Sequence, residues 1–202
     1  MAVHVPLPAA EATPVPRLKR VLGKHGWFWI IGSSVTIAVV LFVWLLFQPS
    51  GQAASSLLPI GSKAPNFTLT DTTGHAVHLT QYHGHPVLIN FWATFCVPCR
   101  TETPLLQRTL LAHHAQGLVI LGVDQGEPQD AITRFGQEFG LTYPLLADFQ
   151  LAVNRQYGVT SLPASYFVDA QGVIRYTING ILLTTTLATG LRVIGAGGGT
   201  SS

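Results

Sequence analysis

Cysteine is scarce: the 202-residue chain has two, Cys96 and Cys99. Two cysteines cannot staple a small secreted scaffold. Their C-x-x-C spacing leaves a redox pair, half of a metal site, or coincidence. Charge is also sparse, at 10% of residues against 48% hydrophobic ones, which argues against a disordered chain. The globular part lacks a basic excess, since from Lys63 onward seven Lys and Arg stand against eight Asp and Glu. No nucleic-acid partner is therefore expected. No internal repeat is visible, and no second C-x-x-C accompanies the first.

What charge asymmetry exists lies at the N-terminus. Arg17, Lys19, Arg20 and Lys24 outweigh Glu11 before residue 27. Residues 27–47, WFWIIGSSVTIAVVLFVWLLF, then run without a charge. At about 1.5 Å per residue they match the roughly 30 Å hydrocarbon core of a bilayer. Trp27, Trp29 and Trp44 fall where interfacial aromatic belts lie, and the basic cluster is expected to stay in the cytoplasm. The expected organisation is a cytoplasmic tail (1–26), a transmembrane signal anchor (27–47), a polar linker (48–58), a folded domain outside the cytoplasm (59–191) and a flexible Gly/Ser-rich tail (192–202). A cleaved signal peptide is the alternative, with Gly51 and Ala53 as small residues for a peptidase. Its apolar region usually runs only about 7–15 residues. Both readings export the domain. No cysteine stands near the span to carry a lipid.

Inside the domain, short apolar runs alternate with helical patterns. Residues 67–69 and 77–79 flank the turn Asp71-Thr72-Thr73-Gly74 and read as a hairpin. Residues 87–92, VLINFW, read as a buried central strand. A helix follows from the cysteines to about residue 114, then a buried strand over 118–123. Pro128 suits the first turn of a helix reaching residue 139. A shorter helix is expected over 151–157, a second hairpin over 165–168 and 173–178, and a last helix over 184–191. The order is that of an α/β domain: one mixed sheet flanked by helices, with an N-terminal hairpin extension.

The setting of Cys96-Val97-Pro98-Cys99 is more specific than the motif. A buried strand ends, the chain turns, and the cysteines open a helix. Orphan N–H groups and the helix dipole favour an anion there, and a thiolate is what disulfide exchange needs. Cys99 lies one turn later, within reach of Cys96. Pro98 is tolerated because early helical positions need no intrahelical donor. The expected chemistry is attack by Cys96 on a substrate disulfide and resolution by Cys99, with no dissociable cofactor. Pro104 is expected to disturb the helix, because it lacks the N–H that would reach the carbonyl of Arg100.

The string FWATFCVPCR resembles the active site of thioredoxin-fold proteins. Three further segments, GSKAPNFTL (61–69), CRTETP (99–104) and VTSLPASYFVD (159–169), are similar to the exported ResA- and TlpA-type reductases of the redoxin, AhpC/TSA-like, superfamily. The resemblance implies a thioredoxin-like fold and reduction of disulfides in exported proteins. Apocytochrome c is a candidate substrate, and a membrane electron donor is the implied partner. It makes Pro163 a cis-proline facing the cysteines, the Leu162 backbone a place for substrate to pair, and Glu102 a proton acceptor. Asn90 stands where cytoplasmic thioredoxins carry a buried aspartate, which shifts the acid–base role toward Glu102. Phe95 replaces the usual tryptophan before the first cysteine and is expected to be an apolar cover. Trp92 is expected to pack beside the site, and Arg100 either to tune the local potential or to be solvated.

Other readings compete. Cys96, Cys99, His113 and His114 offer four zinc ligands, but adjacent histidines lack the x₃₋₅ spacing of a zinc finger. His75, His78, His83 and His85 read as surface residues of a hairpin and turn. A copper carrier on the same fold is an alternative function, since cysteine pairs suit Cu(I), although copper-carrying relatives use C-x-x-x-C. A thiol peroxidase is another, but Asn90 occupies the place of its proline and Cys96 follows Thr94 by two residues rather than three. No metal is expected at the site.

Overall fold

The computed structural model describes residues 38–44 and 57–197. The chain divides into two units, residues 1–51 and 52–202. In the first, residues 38–44 form a helical segment, α1, with exposed side chains. Among the described residues no helix is long and apolar enough to cross a membrane. Most of the expected anchor (27–47), the tail before it (1–26) and most of the linker (48–58) lie outside the described residues.

The second unit is built on one seven-stranded sheet of order β2-β1-β5-β4-β3-β6-β7. Its elements run β1 (Thr68–Asp71), β2 (Ala76–His78), β3 (Val87–Trp92), α2 (Val97–His113), β4 (Val119–Asp124), α3 (Gln129–Phe139), β5 (Leu145–Ala147), α4 (Ala152–Gln156), β6 (Ala164–Val168), β7 (Ile174–Asn179) and α5 (Thr184–Val193). β3, β4 and β5 are parallel, and β6, β7, β1 and β2 add antiparallel pairings. Every residue of β3 is buried, as its unbroken apolar run requires of a strand covered on both faces. Both expected hairpins form. β5 is the strand the sequence reading does not contain. It has three residues and is defined by its neighbours, β4 on one side and β1 on the other.

The two faces of the sheet carry separate cores. One gathers Leu88, Trp92 and Ile120 with the cysteines and Leu106 of α2, Ile132 and Phe135 of α3, and Leu187 and Leu191 of α5. The other gathers Ile89, Phe91, Leu121 and Val123 with Val153, Tyr157 and Phe67. α3 ends at Gly140, whose φ of 60° is left-handed, and the Leu141 N–H returns to the Gly136 carbonyl at 2.9 Å. α5 lies so close to β6 that a Cβ on Gly190 would stand 2.3 Å from the Phe167 ring. The packing also runs past the expected boundary at residue 191. Ile194 and Ala196, placed at sequence level in a flexible tail, are 4% and 0% exposed and belong to the first core.

Candidate active site

Cys96 is the N-cap of α2, and its Sγ accepts the Cys99 N–H at 3.2 Å. That donor and the other free N–H groups of the first turn favour negative charge on Cys96 sulfur once the pair is reduced. The two cysteines form a disulfide with Cα atoms 5.2 Å apart. Cys96 is 8% exposed and Cys99 1%, so Cys96 is the more exposed residue of the pair. Pro98 sits in the first turn, where the missing N–H breaks no helical bond. Pro104 lies inside α2, and the Thr103 hydroxyl bonds back to the Cys99 carbonyl at 2.8 Å.

The Leu162–Pro163 peptide is cis. β6 pairs antiparallel with β3 through Phe91 and Ala164, which sets buried Pro163 beside the end of β3 that leads to Cys96. Leu162 is partly buried against the core that contains both cysteines. Trp92 is 3% exposed and stacks on Phe135 with ring centroids 4.3 Å apart. Phe95, expected as a cover, instead stands 69% exposed in the loop before Cys96, and Val97 is 72% exposed. Both are free to meet a partner. Arg100 is neither free nor simply solvated. It pairs with Glu138 and lies over the Phe135 and Phe139 rings, tying the start of α2 to α3.

Glu102 follows Cys99 by three residues and shares its buried helix face at 2% exposure. Its two carboxylate oxygens are held separately. The Asn90 amide donates to Oε1 at 2.8 Å, and the Leu182 N–H donates to Oε2 at 2.6 Å. Burial pushes this carboxyl up to about 7, and the hydrogen bonds from Leu182 and Asn90 moderate the rise. Asn90 also donates to Ser165 Oγ at 3.0 Å. Asn90 thus ties the Glu102 carboxylate of α2 to the Ser165 hydroxyl of β6.

A second polar group escaped the sequence reading. β4 ends in Asp124, which is fully buried, and its Oδ1 accepts the Glu127 N–H at 2.6 Å. Glu127 in turn accepts the Thr94 N–H and hydroxyl, each at 2.5 Å. An acid ending the apolar run LVILGVD is the signal that could have found it, because sites on parallel sheets gather at the carboxyl ends of strands.

The four histidines of the hairpin region are exposed. Among the described residues no three His, Cys, Asp or Glu side chains converge as metal ligands, so the set Cys96, Cys99, His113 and His114 is not assembled.

A C-x-x-C disulfide at a helix N-terminus, with a cis-proline entering the neighbouring strand of a mixed sheet, defines a thioredoxin-fold thiol–disulfide oxidoreductase. Known proteins agree. The model of the AhpC/TSA family matches residues 60–177. The thiol-disulfide oxidoreductase ResA of Geobacillus kaustophilus is 39% identical over 123 residues, covering 61% of this chain and 71% of that protein. ResA of Bacillus subtilis is 33% identical, covering 60% and 68%. The solved thioredoxin domain of a thiol-disulfide oxidoreductase from Bacteroides vulgatus superimposes with a TM-score of 0.57 at 28% identity, covering 61% of this chain and 90% of that one. The chain belongs to the AhpC/TSA family, as a ResA-type thiol–disulfide oxidoreductase.

Proposed function

We propose that the protein is a membrane-anchored reductase of disulfides in exported proteins, with its catalytic domain outside the cytoplasm. The observation that carries the catalytic part is the Cys96–Cys99 disulfide at the start of α2 with Glu102 buried behind it. The reduced pair gives two electrons to the substrate. The Cys96 thiolate attacks one substrate sulfur, a mixed disulfide forms, and the other substrate sulfur leaves and takes up a proton. Cys99 then passes its proton to Glu102 and attacks Cys96 Sγ. The second substrate thiol is released and the enzyme is left oxidised. A carboxyl held up to about 7 exchanges that proton readily near neutral pH. Leu162 and Pro163 line the approach beside Cys96, where substrate backbone pairs. Phe95 and Val97 give an exposed apolar rim to the attacking sulfur.

The charge-free run 27–47 behind four basic residues supports the anchor and its orientation. A donor in the membrane re-reduces the pair, and apocytochrome c is the substrate the ResA likeness suggests. A redox titration of the full-length protein against dithiol buffers tests the direction. A potential near the about −270 mV of thioredoxin supports a reductase, and one near the about −120 mV of DsbA overturns it. Protease accessibility of the domain in intact spheroplasts tests the orientation, since a protected domain would contradict export.

A further inference from the structure

We propose that Asp124 and Glu127 are positioning residues of this reaction: Glu127 clamps the loop ahead of Cys96, and Asp124 beneath it governs how much negative charge that clamp carries. This rests on Cys96 being the attacking sulfur.

The clamp is specific. Both Glu127 carboxylate oxygens are spent on one residue, Thr94, through its N–H and its hydroxyl. Thr94 stands two positions before Cys96. The same turn holds the end of β3, where the Gln125 N–H donates to the Trp92 carbonyl at 3.0 Å. Within the loop the Cys96 N–H closes on the Ala93 carbonyl at 3.2 Å. The loop that delivers Cys96 to the helix N-terminus is therefore fastened to the end of β4. Charge-assisted bonds of this kind are the stronger ones.

Asp124 supports the clamp from below. Its Oδ1 takes the Glu127 N–H, while its buried Oδ2 has no hydrogen-bond partner among the described residues. An ionised, dry oxygen with no donor is costly. Protonation removes the cost by making Oδ2–H a donor to the neighbouring Glu127 carboxylate. Burial first, and then Glu127, push the Asp124 carboxyl up to about 7. The surroundings supply no rescue. β3 presents Trp92, whose Nε1 is itself unpartnered, and β5 presents Ala147. α4 presents Asn154, which reaches the Asp124 backbone carbonyl at 3.3 Å. The next carboxylate, Asp148, is already held by N–H groups of Ala152 and Asn154. Among the described residues no Lys, Arg or His is bonded to either member of the pair.

Below that titration Asp124 is neutral, and above it Asp124 adds a negative charge beside Glu127. Negative charge under the loop opposes a thiolate at Cys96. The pair thus holds the nucleophile in place and restrains its reactivity as pH rises.

The test is the rate of iodoacetamide alkylation of Cys96 against pH, in the reduced full-length protein and its variants. Asp124→Asn keeps a donor toward Glu127 and an acceptor for its N–H but cannot ionise. Cys96 in that variant should be alkylated at the wild-type rate at pH 5.5 and about twofold or more faster at pH 7.5. Glu127→Gln removes the charge and half of the clamp, and should lower the apparent Cys96 thiol pKa. Urea midpoints measured in parallel separate this from stability alone. Cys96 titrations superimposable on wild type in Asp124→Asn would overturn the proposal, even where Glu127→Gln fails to fold. Alkylation that falls first on Cys99 in the wild type would overturn the assignment of roles above, and this proposal with it.

Discussion

Replacing Glu102 by glutamine tests the buried carboxylate in a way that can be worked through in numbers. Glu102 titrates at about 7 in the folded protein against an ordinary 4.5. Between those values the folded chain keeps a proton that the unfolded chain has lost. Stability attributable to this group is therefore fully present below about 4.5 and falls as pH rises toward 7. One pKa unit corresponds to about 1.4 kcal/mol, so the shift of roughly 2.5 units removes about 3 kcal/mol by pH 8. Glutamine does not titrate. It also offers one acceptor and one donor where both Asn90 and Leu182 donate, so one of them loses its partner at a cost of about 1–3 kcal/mol. That cost is the same at every pH, whereas the carboxylate contribution is not. Asp124, also pushed to about 7, titrates in both proteins and cancels in the difference. Urea unfolding of the oxidised proteins at intervals from pH 4 to 8.5 gives the two curves. The variant should gain about 3 kcal/mol on the wild type across that range. Curves that run parallel to within about 0.5 kcal/mol would refute the reasoning.

Two further outcomes follow from the same packing. Asn90→Ala removes the donor to Glu102 Oε1 and leaves Ser165 without its partner. The midpoint of the pH window for stability loss should move above 7, and a midpoint that stays in place would mean Asn90 does not hold the carboxylate. Gly190→Ala drives a methyl into the Phe167 ring. It should cost about 1–3 kcal/mol in urea unfolding while leaving the Cys96 thiol titration unchanged, and a neutral effect would mean α5 can move off β6.

How much could be read in advance depended on how local each feature is. The buried run of β3, both hairpin turns and the helix opened by Cys96 are written in contiguous residues, and they form where expected. β5 was not legible. Three residues carry no period, and Leu145–Ala147 is a strand only because β1 and β4 pair with it from elsewhere in the chain. Phe95 failed as a cover for a related reason: side-chain size says nothing about whether a loop points inward, and this one points out. At the site, Glu102 is marked by the resemblance of CRTETP to the reductases. Its partners are not, because the Leu182 N–H lies 80 residues away and Asn90 reaches it only through the fold. Asp124, Glu127 and the hold of Glu127 on Thr94 are not legible, because a short polar turn after a strand is ordinary until a loop 33 residues distant is seen to hang from it.

The division of labour between the two sulfurs is tested most directly by trapping. Reduced full-length protein carrying Cys99→Ser, mixed with a disulfide-containing protein, should accumulate a mixed disulfide through Cys96, visible on non-reducing gels and located by mass spectrometry. Cys96→Ser should give neither that adduct nor turnover. Wild-type exchange by Cys96→Ser, or an adduct found on Cys99 of the intact pair, would contradict the account.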